Sequence, residues 1–350
     1  MKLGIVIHAR TPHVAAHARE AEERGFDSVW IPELPNGQGD VFSCMAVAAT
    51  VTQRIGIGSL VAATTTRTPL APANAAATIN ALAPGRTYLG VGSGGVTRSF
   101  FGQPSSIPFA QFRVYLETVC RMLRNGEAEV PAGDGSSIAR FVFREEQYLR
   151  LEPRIPIYPT AFGPRGLALA GELGDGLCLS GPPFPEAASR AYALATASRA
   201  SAESFPFVYS GPICCLRGDE TLRSPRVIDR VGQYVMIMVN LCAAGVVSED
   251  MLPPAVRSVY ERVAKRVGSL SPAERTLDLW RSPYTLAAYE RELITPEAIE
   301  AVAVVGDRSE VLARLKALAE VGVTEFVFDT SVEFVPEVMR EISEDILGRL

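Results

Sequence analysis

The strongest constraint on this 350-residue chain is a rhythm, in which short apolar runs alternate with stretches of helical periodicity from the first residues onward. Residues 2–7 read as a strand and 12–24 as a helix, with Gly25 as the stop before a second strand at 27–31. The step repeats with a helix at 41–52, a strand at 54–61, a helix at 69–82 and a strand at 87–91. It continues through a helix at 109–124, a strand at 155–160, a helix at 164–173, a strand at 175–179 and a helix at 184–202. Next come a strand within 205–216, interrupted by Gly211-Pro212, and a long buried helix at 225–245. A final unit of strand 302–305, helix 308–320, strand 324–328 and a terminal helix closes the chain. Runs this uniformly apolar are covered on both faces, as in parallel sheets.

About eight β-α steps without a sheet-reversing gap predict an α/β fold of the closed kind, a (β/α)8 TIM barrel, in one domain spanning 1–350. Such barrels need about 250 residues and tolerate insertions. The rhythm breaks at 250–300, where short, proline-punctuated helical pieces predict an insertion over the active-site end. Catalytic groups of such barrels lie at the carboxyl ends of the strands. That rule selects His8, Glu33 and the segments 59–66, 92–102, 160–163 and 180–181.

One segment competes with this reading. Gly90, Gly92 and Gly95 in YLGVGSGG spell the G-x-G-x-x-G spacing of a dinucleotide site. That site works by aiming a helix amino terminus at a pyrophosphate, so the helix must begin at once. The residues after Gly95, VTRSFFGQPSS, predict a loop, with the next helix near Pro108. A strand end with its loop is the better description.

Composition narrows the partners. Hydrophobic residues make up 47% of the chain and charged residues 21%, which suits a large core. A net charge of -5 without a Lys/Arg cluster argues against nucleic acid and leaves a small-molecule partner. The six cysteines form no C-x-x-C pair and have no neighbouring histidine, so metal spacing is absent and structural thiols in a reducing cytoplasm are expected. No secretory leader is visible, and the most apolar stretch, 234–247, is shorter than the roughly 20 residues a membrane span needs.

Several strand-end stretches, in order, carry a family resemblance: GFDSVWIPE (25–33), RIGIGSLVAATTTRTPLAPANAAATINALAPGR (54–86), YLGVGSGG (88–95), IPIYPTAFGPRGLALAGELGDGLCLSG (155–181) and VVGDRSEVLARLKALAEVGVTEFVF (304–328). Together they resemble the luciferase-like monooxygenase superfamily, particularly its branch that uses the deazaflavin coenzyme F420. The resemblance implies a homodimeric barrel that transfers a hydride between F420 and an unsaturated C=N, C=C or C=O carbon. It also implies a non-proline cis peptide at Ser59-Leu60, to within one residue, in a bulge (Ser59, Leu60, Val61) beneath the cofactor ring. Gly92, Ser93, Gly94 and Thr97 are then expected beside that ring, where absent side chains let it approach. Thr160, Ala161, Phe162 and Gly163, with Ser180 and Gly181, are expected around its phosphate. The segment 160–164 suits that role on its own terms, because a strand, a turn and Pro164 at a first helical position bring free amides and the helix dipole together. The same motif is also an ordinary turn.

Two departures bear on the chemistry. Members that reduce a methanogenic pterin carry a glutamate near the end of the first strand, where this chain has Val6, which argues against that substrate. The loop that often reads G-x-G-D has Gly95 in place of the acid. His8, at the first strand's end, is as readily a packed histidine as a general acid or base. Glu33, where the family has Asp-His or Asp-Phe, is read first as a cofactor contact, then as a proton donor or a solvated carboxylate. His13 and His17 share one helix face, a spacing more typical of a packed surface than of a metal site. Arg67 and Arg98 are candidates for an anionic tail or substrate, Arg67 alternatively for capping the third helix, and Cys214-Cys215 read as core thiols. An FMN-dependent monooxygenase of the same fold and a non-catalytic binding barrel are the rival readings.

Overall fold

The computed structural model describes residues 1–350 except 36, 102, 106, 143–147, 198, 200–203, 272–273, 275–277 and 279–284. Position 102 of the expected rim loop, the end of the expected helix 184–202 and part of the 250–300 segment therefore lie outside the described residues.

The strands, in chain order, are β1 (Lys2–Val6), β2 (Ser28–Ile31), β3 (Gly56–Ser59), β4 (Ala62–Ala63), β5 (Thr87–Gly92), β6 (Glu127–Ala132), β7 (Gly135–Arg140), β8 (Ile157–Thr160), β9 (Leu177–Ser180), β10 (Phe207–Cys215), β11 (Val304–Gly306) and β12 (Glu325–Asp329). Parallel pairing runs β1, β2, β3, β5, β8 on one side and β1, β12, β10, β9 on the other. The seam between β8 and β9 is bridged where Asp175 N–H donates to Ile157 C=O at 2.9 Å and Thr160 Oγ1 donates to Cys178 C=O at 2.8 Å. The result is a closed eight-stranded barrel wall of the TIM type, wrapped by helices. An antiparallel hairpin, β6 with β7, is an addition the β-α rhythm did not announce.

Two expectations change. The strand near 205–216 is not interrupted: β10 runs unbroken over nine residues, Gly211 and Pro212 pairing with Phe328 and Asp329. A side chain at 211 would strike the Gly181 carbonyl, so the glycine admits the loop after β9 and leaves the strand intact. The stretch after Gly94 is not a loop either, because Gly95–Phe100 is a six-residue helix. Gly94 permits this turn with φ 75°, a left-handed conformation that costs glycine little.

Period-2 alternation sorts the strand residues. Ile5, Val29, Ile57, Phe326 and Phe328 point into the layer between strands and helices, the main core. Val6, Trp30, Tyr158, Cys178, Val208 and Val327 form a separate cluster inside the barrel, with Tyr88 packed against it. Trp30 fits because Gly58 faces it; even the most distant of the nearest ring atoms, Cδ2, would lie 2.9 Å from an added Cβ. Trp30, Tyr88 and Tyr158 fill the barrel waist with ring centroids 5.9 to 6.1 Å apart. Below them the buried Glu325 carboxylate accepts from Ser28 Oγ and from Trp30 Nε1, the latter at 2.7 Å. The barrel is therefore plugged at its waist, and access is from the carboxyl ends of the strands.

A third core lies outside the barrel. Helix Pro225–Ala243 packs Val227, Val231, Val235 and Val239 against Val256, Val259, Val263 and Val267 of helix Pro254–Val267, with Ile294, Ala298 and Ile299 completing the cluster. The buried Arg230–Glu341 pair, 2.6 Å apart, fastens this unit to the terminal helix Val335–Asp345.

Candidate functional site

Two clefts open at the carboxyl ends of the strands and share Pro35. One, of about 580 Å³, is lined by His8, Arg10, Thr11, Gln38 and Glu333 among others. The other, of about 520 Å³, is lined by Glu33, Thr65, Thr66, Arg67, Phe101 and Gln103. His8 and Glu33 thus face neighbouring spaces without touching.

His8 follows β1 and is nearly buried. Gln38 Oε1 accepts from the Ala9 N–H at 2.9 Å, which orients the amide so that its NH2 donates to His8 Nδ1 at 3.0 Å. Nε2 must then carry the hydrogen, donating to the Thr330 carbonyl at 2.6 Å. Both ring nitrogens are committed to the chain, and His8 ties the ends of β1 and β12 together.

Glu33 is not a solvated strand-end carboxylate, being only 6% exposed. Its oxygens accept from Ala63 N–H at 2.6 Å, from Thr66 Oγ1 at 3.0 Å and from Arg67. Arg67 also pairs with Asp40 and lies over the Phe42 ring, so it braces the rim from β2 to the segment after β4. Arg98 is likewise engaged, its Nε donating to the Pro104 carbonyl at 2.6 Å.

The bulge is present. Its cis peptide joins Leu60 and Val61, one residue beyond the expected bond. Ser59 Oγ donates to the Gly90 carbonyl at 2.9 Å, and both Leu60 and Val61 border the barrel-interior cluster. This geometry gives the strand-end glycines a structural role. A Cβ at Gly90 would collide with the Ser59 carbonyl, and one at Gly92 would lie 2.8 Å from Val61 Cγ2. Their missing side chains admit the bulge itself. Past them, the Ser93 carbonyl accepts from Thr64 Oγ1 at 3.0 Å, Gly94 packs beside Thr65, and Thr97 is buried in the short helix. That helix docks through Val96 and Phe100 onto the core outside the barrel, and Ser105 Oγ donates to the Gly245 carbonyl at 2.8 Å.

Across the rim, Thr160 and Ala161 are half-buried while Phe162 and Gly163 are exposed at the start of helix Pro164–Leu173. No side chain caps that helix, leaving its first amides open. Ser180, exposed, and Gly181 stand on the adjoining strand end.

The chain carries further groups that sequence reasoning passed over. Asp329 ends β12 on the inward side, with the Tyr234 phenol from helix Pro225–Ala243 and the Thr330 N–H beside it. Burial raises the Asp329 carboxyl above its ordinary value, outweighing nearby His8 and those two neighbours, and burial pushes the Tyr234 phenol well up. The alternation Glu325, Val327, Asp329 was a readable signal for an inward acid; nothing in the sequence announced Tyr234 as its neighbour. Among the described residues, the buried hydroxyls without a hydrogen-bond partner are Thr65, Ser210 and Thr330. All three stand at rim level: Thr65 after β4, Ser210 beside the last residue of β9, Thr330 after β12. A buried hydroxyl left unbonded costs about 1 to 3 kcal/mol, so each of the three is a group that a further hydrogen-bond partner would satisfy.

Other expected groups are structural. The cysteines are buried and free, and burial raises the Cys120 thiol to about 11 and that of Cys215 to about 12. His13 and His17 stack at 5.8 Å, and burial, then His13, lowers the His17 value. Among the described residues no His/Cys/Asp/Glu cluster suits a metal, and no helix is long and apolar enough to cross a membrane.

The model of the luciferase-like monooxygenase family matches residues 4–325. The chain belongs to that family. Within it, a 5,10-methylenetetrahydromethanopterin reductase from Methanolobus tindarius is 26% identical over 343 residues, covering 96% of this chain and 95% of the relative. An F420-dependent glucose-6-phosphate dehydrogenase from Beutenbergia cavernae is 33% identical over 177 residues, 46% of this chain and 50% of that one. Among solved folds, the coenzyme F420-dependent tetrahydromethanopterin reductase of Methanopyrus kandleri superposes with a TM-score of 0.68 at 20% identity, covering 99% and 98% of the two chains. The relatives are thus reductases and dehydrogenases of the barrel class read from the β-α rhythm.

Proposed function

We propose that this protein is an F420-dependent oxidoreductase that transfers a hydride between the deazaflavin and an unsaturated C=N, C=C or C=O carbon of a small molecule. The observation that carries the reading is the concentration of unpartnered buried hydroxyls at the carboxyl-end rim, in a chain aligned almost end to end with a reductase. A ring system with polar edges would suit that arrangement. Thr65, Ser210 and Thr330 offer hydroxyls, the Ser59–Val61 bulge offers a firm bed, and the open amides at the start of helix Pro164–Leu173 suit an acidic tail. When bound, F420 supplies the hydride.

The chain's own part is placement and exclusion. Glu33, Thr66 and Arg67 hold the segment after β4 in position, and His8 with Gln38 holds β1 against β12. Gly92, Ser93, Gly94 and Thr97 shape the wall beyond the bulge, and Thr160 to Gly163 with Ser180 and Gly181 form the tail site. Helix Pro225–Ala243 and residues 245–247 touch the rim directly, whereas helix Pro254–Val267 and residues 294–299 stand behind that helix. Substrate selection is therefore assigned to 225–247, with the described part of 250–300 as its backing. A homodimer in the cytoplasm belongs to the same reading, and sedimentation of the purified protein tests the dimer.

Titration of the purified protein with F420 and with FMN, followed by fluorescence, tests the assignment. Saturable F420 binding in preference to FMN supports it. Preferential FMN binding with oxygen-dependent turnover makes the protein a monooxygenase instead, and binding of neither makes it a non-catalytic barrel.

A further inference from the structure

The two clefts at the rim differ in how their charges are balanced. In the Glu33 cleft the lining carboxylate and guanidinium are already paired, Glu33 with Arg67. The His8 cleft, of about 580 Å³, is lined by Arg10 and Glu333, and among the described residues neither side chain has an ion-pair or hydrogen-bond partner, in the other or elsewhere. Both are exposed, so water covers their charges in the free protein. Single exposed charges are common; these two have opposite signs and line one concave space of ligand size. The fold sets them side by side. Arg10 follows β1 at the head of helix Thr11–Glu23, and Glu333 lies in the turn Val332–Phe334 after β12. β1 and β12 are parallel neighbours, a pairing that holds strands about 4.8 Å apart, and the His8–Thr330 hydrogen bond ties their ends together.

We propose that the His8 cleft is the subsite of the hydride acceptor and takes a small zwitterion, with the acid group facing Arg10 and a cationic nitrogen facing Glu333. Its place in a reaction rests on the hydride-transfer reading above; the charge recognition stands on the cleft. Of the three bond types in that reading, C=N is the one basic enough to enter as a cation near neutral pH, so the pair selects an imino acid, a protonated imine beside a carboxylate. The hydride adds to the iminium carbon, the π bond breaks toward nitrogen, and nitrogen keeps the proton it brought, leaving an amine. The substrate gains the two electrons that the deazaflavin loses. The amine then takes from water the proton that the reduced cofactor releases, and it ends as an ammonium that still faces Glu333.

The surroundings suit such a ligand. An iminium needs no proton-donating side chain at the moment of transfer, which agrees with His8 having both nitrogens committed and with Glu33 being held by Arg67. Gln38, fixed between the Ala9 N–H and His8, keeps this part of the cleft in shape. A guanidinium meets a carboxylate through two parallel hydrogen bonds, so Arg10 suits the acid group in geometry as well as charge. A neutral ketone of the same size would strip water from Arg10 and Glu333 and return no partner to either, a cost that falls on the wrong ligand alone. Pro35 lines both clefts, so a ligand between Arg10 and Glu333 has the Glu33 cleft as its neighbour.

Calorimetric titration of the cofactor-free protein with three six-membered-ring probes separates the charges without turnover: pipecolate carries both, piperidine only the cation and cyclohexanecarboxylate only the anion. Pipecolate is expected to bind about tenfold more tightly than either, the factor that one charge-assisted contact supplies. Arg10→Gln should bring pipecolate down to the piperidine level and leave piperidine unchanged. Glu333→Gln should bring it down to the cyclohexanecarboxylate level without weakening that acid. Both side chains are exposed, so the circular dichroism of both variants should match the wild type. Equal binding of the three probes, binding of none, or pipecolate binding that neither variant weakens overturns the proposal. With reduced F420 supplied, the cyclic imine piperideine-2-carboxylate should be reduced in preference to piperideine and cyclohexanone, and Arg10→Gln should raise its KM about tenfold with kcat little changed. Preference for the ketone overturns the assigned acceptor. Charge-dependent pipecolate binding in a protein that does not bind F420 supports the zwitterion site and overturns only the hydride-transfer reading, which the first titration registers separately.

Discussion

β12 carries two inward carboxylates four residues apart, at opposite ends of the same barrel. Glu325 lies below the waist, where Ser28 and Trp30 donate to it and Gly4 leaves room for its oxygen. Asp329 lies at the rim, beside its neighbour Thr330 and near Tyr234 from far along the chain. Burial raises both. The difference is in who supplies the partners. Below the waist, strand residues close the hydrogen bonding among themselves. At the rim, helix Pro225–Ala243 brings Tyr234 near, and three hydroxyls are left without a partner. The barrel floor closes its own hydrogen bonding, and the mouth leaves three hydroxyls unpaired among the described residues.

The contrast is most easily broken at the waist. Trp30→Ala removes a fully buried ring that fills the barrel and bonds Glu325, and chemical denaturation should register a loss of about 3 to 5 kcal/mol. Arg230→Met attacks the rim from behind. It leaves Glu341 with Arg217 and Arg226 as more exposed partners, and a loss approaching about 3 kcal/mol is expected, with the insertion loosening first in hydrogen exchange. A milder change separates the two ends by sign. Ser28→Ala takes a donor from Glu325 and should cost about 1 to 3 kcal/mol, whereas Ser210→Ala deletes an unpartnered hydroxyl and should be neutral or stabilising while weakening F420 binding.

The smallest effect is in pH dependence. Glu325 binds its proton more tightly in the folded state, so its contribution to stability is complete below the unfolded value of about 4.3 and is lost as pH rises through the raised folded value. Glu325→Gln should flatten that decline in thermal melts. Glu220 behaves oppositely: the Arg226 hydrogen bond draws it down to about 2, so its stabilisation is present above the ordinary glutamate value and disappears as pH falls toward 2. Retaining that acid-side loss while removing the other would separate the two signs within one protein.

Much of this architecture was legible. Apolar runs separated by amphipathic helices predict parallel strands covered on both sides, and the eight wall strands and the helices between them lie close to their expected residues. The hairpin β6–β7 escaped because its strands are largely exposed and carry no apolar run. The helix Gly95–Phe100 escaped because it is stabilised by docking Val96 and Phe100 on a distant core, a long-range contact that local propensity does not encode. Gly90 and Gly92 were recognised as places of close approach, but what approaches is the chain's own bulge.

The rim divides in the same way. The sequence alone determined which residues stand at strand ends, since a parallel β-α repeat and period-2 alternation fix direction and facing together: His8, Glu33, Thr160 and Ser180 are all at that end. Which of them remain available was decided only in three dimensions. Hydrogen bonds between residues tens to hundreds of positions apart commit His8 to Gln38 and Thr330 and lock Glu33 to Arg67. Proton affinity depends on burial and on those partners, and neither belongs to a residue until the chain has closed around it.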